Sequence, residues 1–574
     1  MKLLKFLRPY WFWALLTPLS MIGEVIADLA QPKLMSRLVN EGVLAADQQL
    51  ILSIGLRMLL IVFLGGLAGT SCSVFASLAS QNFACDLRKE VFRSAMSLSF
   101  QQTDQFTTGS LITRLTNDIT QMQHFVEQCL RMFVRSGMMF LGGIVMMLSL
   151  HSKFGLMLLG ALPIQILLMG LILKKANPLY AKVQKRLDKL NNVMQENVNG
   201  ARMVKAFVQE ERETERFNQA NEQLTETNLK VAYIVARLSP LLSIIMNLSV
   251  VALIYLGGLE VMAGKMQIGT IMAAITYNTQ VLHSVMMVSM MFQSIARGRA
   301  SAKRLTEVLN TTPAIEGGTL RADSLGEITF ENVSFHYPGF EGREVLKNIS
   351  LTIKKGENLA ILGATGAGKS SFIHLITRFY DATEGRLLIN GRPVAEYDLH
   401  SLRERVAVVL QKSELFSGSV ADNIRWGNPD ATDEQIIRAA KIAQAHEFIS
   451  KMPEGYETMI AEKGASLSGG QKQRLSIARA LVRKPELLIL DDSTSALDLA
   501  TEGKLRAAIQ KEMEGTTLIT IAQRIASVKE CDRIAVLEDG GLAAIGDHET
   551  LLRESAVYRD IDQSQTKEGG IQNG

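Results

Sequence analysis

Cysteine is scarce in this chain: four in 574 residues, Cys72, Cys85, Cys129 and Cys531, with no CxxC spacing. That excludes a disulfide scaffold and a cysteine-ligated zinc site. An excess of either charge sign is also missing. The 61 basic residues nearly match the 57 acidic ones, for a net charge of +4, too even a balance to mark a nucleic-acid binder. Charged residues make up 21% and hydrophobic ones 47%, which excludes a disordered chain. No internal repeat is evident. The start, MKLLKFLRPYWFWALL, has the basic-then-apolar order of a signal peptide, yet no small-residue cleavage site follows it. Trp11 and Trp13 suit an interfacial belt, so this stretch reads as a retained membrane-surface turn.

What the chain does have is apolar runs, nearly all of them in residues 1–300. They predict six membrane-spanning helices at 11–35, 52–79, 126–150, 154–174, 238–262 and 267–292, each long enough for a ~30 Å hydrocarbon layer. The implied organisation is a transmembrane domain at 1–305, a Gly-, Pro- and Thr-bearing linker at 306–327, a soluble domain at 328–563 and a disordered tail at 564–574. Segment 39–51 has Glu41 and Asp47 but no Lys or Arg, whereas 174–237 carries twelve basic residues and 82–125 holds Arg88, Lys89, Arg93 and Arg114. By the positive-inside rule the two basic segments and both termini are cytoplasmic. Their apolar residues recur at helical spacing, so they read as helices running on beyond the bilayer, turning back near Thr107–Gly109 and Asn199–Gly200.

In the soluble half, Gly363-Ala-Thr-Gly-Ala-Gly-Lys-Ser370 follows an apolar strand and precedes a helix, the context a P-loop requires. Its glycines let backbone N–H groups curl around phosphate oxygens, helped by the helix N-terminus. Lys369 would reach the β- and γ-phosphates, and the Ser370 hydroxyl would ligate Mg²⁺. Leu487-Leu-Ile-Leu-Asp491 is a buried-strand run ending in a carboxylate, suited to holding that metal through water. Between them Leu467-Ser468-Gly469-Gly470-Gln471 opens a helix. It is either a second phosphate-binding turn or an ordinary capped helix.

In this order and spacing the motifs resemble the ATP-binding cassette family over essentially the whole chain. The resemblance implies an α-helical six-span transmembrane domain with long cytoplasmic helical extensions, fused to an α/β P-loop (RecA-like) nucleotide-binding domain with a helical subdomain. It implies an exporter half-transporter that binds ATP and Mg²⁺ and must dimerise, since ATP is sandwiched between one P-loop and another chain's signature. The segments Thr108–Asp118 and Gly200–Phe207 resemble the flanks of two coupling helices. By the same resemblance Tyr337 stacks on adenine, and Gly363, Thr365, Gly366, Gly368, Lys369, Ser370 and Ser371 cradle the phosphates. Gln411 is the Q-loop residue and a Mg²⁺ ligand with Ser370 and Asp491, Glu462 belongs to the cross-linking loop, and Asp498 to the D-loop. Leu467–Gln471 serves the partner's ATP.

Two positions depart from the pattern. Asp492 stands where Glu polarises the attacking water, and Gln523 where the switch His is expected. Asp is one methylene shorter, withdrawing its carboxylate by about 1.5 Å, and a misplacement of ~1 Å can slow a reaction about 100-fold. ATP binding should survive with slow hydrolysis, as in the degenerate-site subunit of heterodimeric bacterial exporters of the multidrug type; the alternative is neutral drift in a homodimer that exports a specific lipid or peptide, or an ATP-gated channel. For the cargo, Met286 and Met290 lie in the sixth helix, where flexible Met suits a promiscuous cavity or simply fills packing space. Glu24 and Asp28, four apart in the first helix, either favour cationic amphiphiles or pair with Arg131 and Arg135. The expected setting is a bacterial plasma membrane, with hydrophobic small molecules and lipid as partners and no nucleic acid.

Overall fold

The computed structural model describes residues 2–340, 342–461 and 464–571, with the side chains at 2, 289, 290, 292, 293, 499 and 566–571 left out of the description. The chain forms two compact units, Met1–Met96 with Gly109–Thr311, and Ser97–Thr108 with Thr312–Gly574.

The helices of the first half are α1 (Trp11–Arg37), α2 (Gln48–Ser97), α3 (Phe100–Phe106), α4 (Thr108–Thr113), α5 (Ile119–Gln128), α6 (Val134–Leu150), α7 (Ser152–Asn199), α8 (Ala201–Ala206), α9 (Glu210–Ala236), α10 (Leu238–Met262) and α11 (Ile268–Asn310). At about 1.5 Å per residue, the 50 residues of α2 far exceed a ~30 Å hydrocarbon layer. The 48 residues of α7 do the same, so both run on beyond the bilayer. Five helical stretches among the described residues are long and apolar enough to cross a membrane. The sixth expected span lies in α11, whose apolar run is broken by polar residues such as Asn278 and Gln280. Asn278 donates to Ser249 Oγ at 2.7 Å, and the Leu282 carbonyl accepts from Gln165 Nε2 at 2.9 Å. Met147, Phe154, Leu158, Leu253 and Tyr277 pack the core of this unit. Two π-helical turns, Arg114–Asp118 and Cys129–Phe133, interrupt the run from α4 to α6. The first turns Asp118 toward α11, where it accepts from Ser301 Oγ (2.8 Å) and Arg304 Nε (2.7 Å).

The second unit contains β1 (Ile328–Phe335), β2 (Leu346–Ile353), β3 (Asn358–Gly363), β4 (Glu384–Ile389), β5 (Arg392–Pro393), β6 (Val406–Val409), β7 (Gly418–Ser419), β8 (Met459–Ile460), β9 (Leu487–Asp491), β10 (Thr517–Ile521), β11 (Arg533–Glu538) and β12 (Gly541–Gly546). Its helices are α12 (Lys369–Ile376), α13 (Leu399–Glu404), α14 (Val420–Arg425), α15 (Asp433–Ile442), α16 (His446–Ser450), α17 (Gly469–Leu481), α18 (Leu499–Glu512), α19 (His548–Glu554) and α20 (Ala556–Ile571). A six-stranded sheet has the order β12-β11-β3-β10-β9-β6. Its β11, β3, β10, β9 and β6 are mutually parallel, and β12 is an antiparallel edge. The strands β9 and β10, mostly apolar, are buried along their whole length, as a covered parallel sheet requires. An antiparallel sheet, β2-β1-β4-β5, closes one core, and α14 to α18 help enclose a second.

Three boundaries differ from those the sequence suggests. α3 groups with the nucleotide unit because Phe100 stacks on Phe379 (4.7 Å, 14°), Tyr380 Oη donates to Asp104 Oδ2 (3.1 Å) and Gln102 Nε2 donates to the Thr312 carbonyl (2.6 Å). The stretch 306–327 is not a loose linker. Its start belongs to α11, and Ala322 and Leu325 are buried in the core. The tail read as disordered from 564 is helical as far as Ile571.

Candidate nucleotide site

The parallel register places the ends of four adjacent strands side by side. Ile521 of β10 pairs with Ile361 of β3 and Asp491 of β9, and Leu490 of β9 pairs with Val409 of β6. The chain leaving each end carries one motif: the P-loop after β3, Gln411 after β6, Asp491–Asp492 at β9 and Gln523 after β10. Parallel sheets place ligand crevices at this edge.

In the P-loop, Gly366 and Gly368 have φ of +89° and +93°, conformations that favour glycine over any residue with a side chain. The turn leads into α12, whose first N–H groups lack intrahelical partners. Lys369 is nearly buried and its Nζ donates to the carbonyls of Gly363 (2.7 Å) and Ala364 (2.9 Å). Burial pushes its pKa down, opposed by the charges of Asp492 and Asp491. Ser370 Oγ donates to Asp491 Oδ1 at 3.4 Å, and burial raises the pKa of that carboxyl. Asp492 sits at φ +46°, with its N–H bonded to the Ile521 carbonyl at 3.0 Å. Its Oδ2 accepts from both Gln411 Nε2 (3.2 Å) and Gln523 Nε2 (3.0 Å). Together Thr365, Gly366, Gly368, Lys369, Ser370, Ser371, Gln411, Asp491, Asp492 and Gln523 line a cleft of about 210 Å³.

Tyr337 lies in an adjoining cleft that shares Val345 and Gly366 with the first. Its hydroxyl is 2.9 Å from Ser371 Oγ, and its ring packs edge-on against Tyr380. Gly363 borders a further cleft that shares Thr365, Gly366 and Gln523 with the first. The signature is elsewhere: among the described residues none of Leu467–Gln471 lines the P-loop cleft. Ser468 and Gly469 are exposed. Ser468 caps α17 through a capping box, Gln471 N–H to Ser468 Oγ (3.3 Å) and Ser468 N–H to Gln471 Oε1 (2.9 Å). Asp498 caps α18 through the Thr501 N–H at 2.9 Å. Between the two helices the Ala496 N–H donates to Gln473 Oε1 at 3.1 Å. Glu462 lies outside the described residues.

In the membrane unit, Glu24 and Asp28 both bond to Arg135, the latter at 2.9 Å, while Arg131 pairs with Glu127 at 3.6 Å. The two carboxylates thus share Arg135, and Arg131 is not their partner. Both carboxylates also border a cavity of about 560 Å³ lined in addition by Gln31, Thr70, Ser73 and Arg131. Met286 is half-buried and is not part of that lining; the Met290 side chain lies outside the described residues.

Sequence reasoning missed Phe340, Arg343 and Val345 beside Tyr337. No motif spacing marks them; only their position shortly after the aromatic residue does. It also missed Gln565, whose side chain bonds to the switch segment.

A membrane-helix unit joined to a nucleotide unit with a P-loop, an acidic strand end and a separate signature turn defines an ATP-binding cassette half-transporter. The comparisons agree: residues 13–285 match the ABC transporter transmembrane region and 346–495 the ABC transporter family model, and the chain belongs to the ABC transporter family. It is 41% identical to the ABC transporter ATP-binding protein YfiB of Bacillus subtilis, across 98% of each chain. It is 33% identical to an ATP-dependent lipid A-core flippase of Chromobacterium violaceum, across 99% of this chain and 97% of that one. A solved bacterial Atm1-family ABC exporter with ATP bound superposes with a TM-score of 0.81 at 27% identity, covering 97% of this chain and 98% of that chain. The chain is thus an exporter half-transporter of the ATPase and translocase class with the Atm1-family fold.

Proposed function

We propose that this chain is the slow-site half of a heterodimeric exporter that moves hydrophobic or amphipathic small molecules outward across a bacterial plasma membrane. Its own P-loop binds ATP, and its signature turn completes the active site of a second half-transporter. The donor set fits the ligand. Lys369, the N-terminal amides of α12 and Thr365 suit phosphate oxygens, Tyr337 suits the base, and Ser370, Asp491 and Gln411 suit Mg²⁺. When bound, that ion supplies charge neutralisation on the phosphates. The chain's own residues orient the nucleotide and hold the carboxylate that would accept the proton of the attacking water.

The observation that carries the slow-site reading is the state of Asp492. Its side chain is one methylene shorter than the Glu it replaces and its backbone is left-handed; the Gln411 and Gln523 amides on Oδ2 orient the shortened carboxylate but cannot extend its reach. Retraction of the base by about 1.5 Å loses alignment with water, and Gln523 donates a hydrogen bond but supplies no cation. Closure of the nucleotide units on ATP would drive the membrane helices to the outward state by alternating access, with hydrolysis at the partner's P-loop resetting them. The test is Mg-ATP turnover of the purified chain alone and of the chain co-expressed with a candidate partner. Alone it should fall below ~0.1 s⁻¹, against ~1–10³ s⁻¹ for ordinary enzymes, and the partner should restore turnover. Several turnovers per second alone would refute the reading.

The flippase names among the relatives favour a second reading of the cargo, a lipid amphiphile. Stimulation of the ATPase by several unrelated drugs supports the multidrug reading, and stimulation by one lipid class only supports the other.

A further inference from the structure

The segment that carries Gln523 has little support of its own. β10 ends at Ile521, and a single 3₁₀ turn begins only at Ile525, so the backbone at Gln523 and Arg524 belongs to no sheet or helix. Gln523 and Arg524 are exposed, but Ile525 is buried, and a backbone N–H at such a position needs a partner. It finds one 40 residues away: the Ile525 N–H donates to Gln565 Oε1 at 2.8 Å, and at the exposed side of the same amide Gln565 Nε2 donates to the Gln523 carbonyl at 2.7 Å. One side-chain amide thus holds both backbone groups that flank Arg524, as a neighbouring strand would.

The clamp is rigidly mounted. Tyr558 of α20 is fully buried, in a cluster that includes Ala522, Ile525 and Val528 of the switch region. Its Oη lies 2.7 Å from His548 Nδ1. Ile561 packs against the same cluster. Tyr558, Ile561 and Gln565 follow the i, i+3, i+7 spacing of one helix face, so the face that anchors α20 also points Gln565 at the switch segment. Beside it, Ala364 and Thr365 of the P-loop share a cleft of about 770 Å³ with Gln523 and Gln565.

We propose that Gln565 is a positioning residue for hydrolysis, fixing the backbone of Gln523 so that its amide reaches Asp492. The inference rests on assigning Asp492 and Gln523 to the hydrolytic edge of the cleft. The Gln523 Nε2 to Asp492 Oδ2 bond is 3.0 Å, and such bonds weaken steeply with displacement. Freeing the Gln523 backbone lets the amide leave the carboxylate, and Asp492 then keeps only Gln411 as a donor.

The test uses the full-length chain in its native assembly in lipid nanodiscs, loaded with azido-ATP labelled at the α- or γ-phosphate and photocrosslinked. Loss of γ-label relative to α-label on this chain reads hydrolysis at this P-loop, however slow. Gln565→Met keeps the length and packing but removes both hydrogen bonds. It should slow the loss about 3- to 10-fold, in line with the modest net worth of such bonds. The ATP concentration for half-maximal labelling should stay within about twofold, a split that general loss of folding would not give. In a Gln523→Ala background, Gln565→Met should add nothing, because the clamp acts through that side chain. A wild-type rate in Gln565→Met, or the same slowing with Gln523 already replaced, overturns the clamp. A wild-type rate in Asp492→Asn overturns the underlying assignment and the clamp with it, so the two failures are distinguishable.

Discussion

At the scale of single residues, Asp492 and Gln523 read as a matched pair. The shorter carboxylate meets a switch side chain that donates one neutral hydrogen bond to it. Restoring only one member leaves a mismatched pair, whereas Asp492→Glu together with Gln523→His should raise hydrolysis at this P-loop by roughly 10-fold or more, since ~1 Å of alignment is worth about 100-fold. Single-site loss of γ-label measures it; an unchanged rate would argue against reach as the limiting factor. A second residue answers to pH. His374 is packed among Phe100, Phe379 and Tyr380, and burial lowers its pKa, with Asp104 opposing. The unfolded chain, with an ordinary His near 6.5, binds the proton more readily. Stability contributed by neutral His374 is therefore present above about pH 6.5 and lost as the pH falls through the folded value. The thermal midpoint of the nucleotide unit should drop on acidification from pH 7.5, and His374→Leu should reduce that slope. The positions of Asp492 and Gln523 can be read from motif spacing in the sequence alone. The bonds between Gln411, Asp492 and Gln523 cannot, because strand register, which no motif encodes, brings β6, β9 and β10 together.

At the scale of elements, α17 shows how one turn can serve two purposes. Ser468 and Gln471 close a capping box, so the structural reading of Leu467–Gln471 holds, yet Ser468 and Gly469 remain exposed and available to another chain. Asp is as good an N-cap as Ser. Ser468→Asp should therefore leave the thermal midpoint within about 2 °C while its charge opposes a partner's phosphate and cuts assembly turnover at least 10-fold. Parallel loss of stability and turnover would mean that the turn is structural only. The short helix α3 is a second case. Phe100 is 42% exposed, so truncating it should cost about 1–2 kcal/mol, less than a fully buried aromatic. Phe100→Ala should keep ATPase activity but lower transport per ATP, measured with a fluorescent amphiphile in proteoliposomes. The sequence announced a turn near Thr107, whose φ of +52° now marks it. It did not announce α3's grouping with the nucleotide unit, which depends on Phe379 and Tyr380 nearly 280 residues later in the chain.

At the scale of the whole molecule, long helices and a nucleotide unit were legible because hydrophobic run length and motif order survive without any tertiary information. The boundaries were less so. Residues 306–327 looked like a linker by composition, but Ala322 and Leu325 contribute to a core assembled from distant strands. The tail looked polar and loose, but α20 gains its order from the buried Tyr558. Among the described residues the signature turn does not line the P-loop cleft, in keeping with the ABC exporter family and fold, whose members dimerise. The most direct test of the slow-site reading is to compare Lys369→Ala and Ser468→Ala of this chain in the assembled transporter. A slow P-loop with a working signature predicts that Lys369→Ala retains more than half of the assembly's ATP turnover while Ser468→Ala removes most of it. Equal loss in the two variants would contradict the account and mean that this chain hydrolyses ATP as half of a symmetric pair.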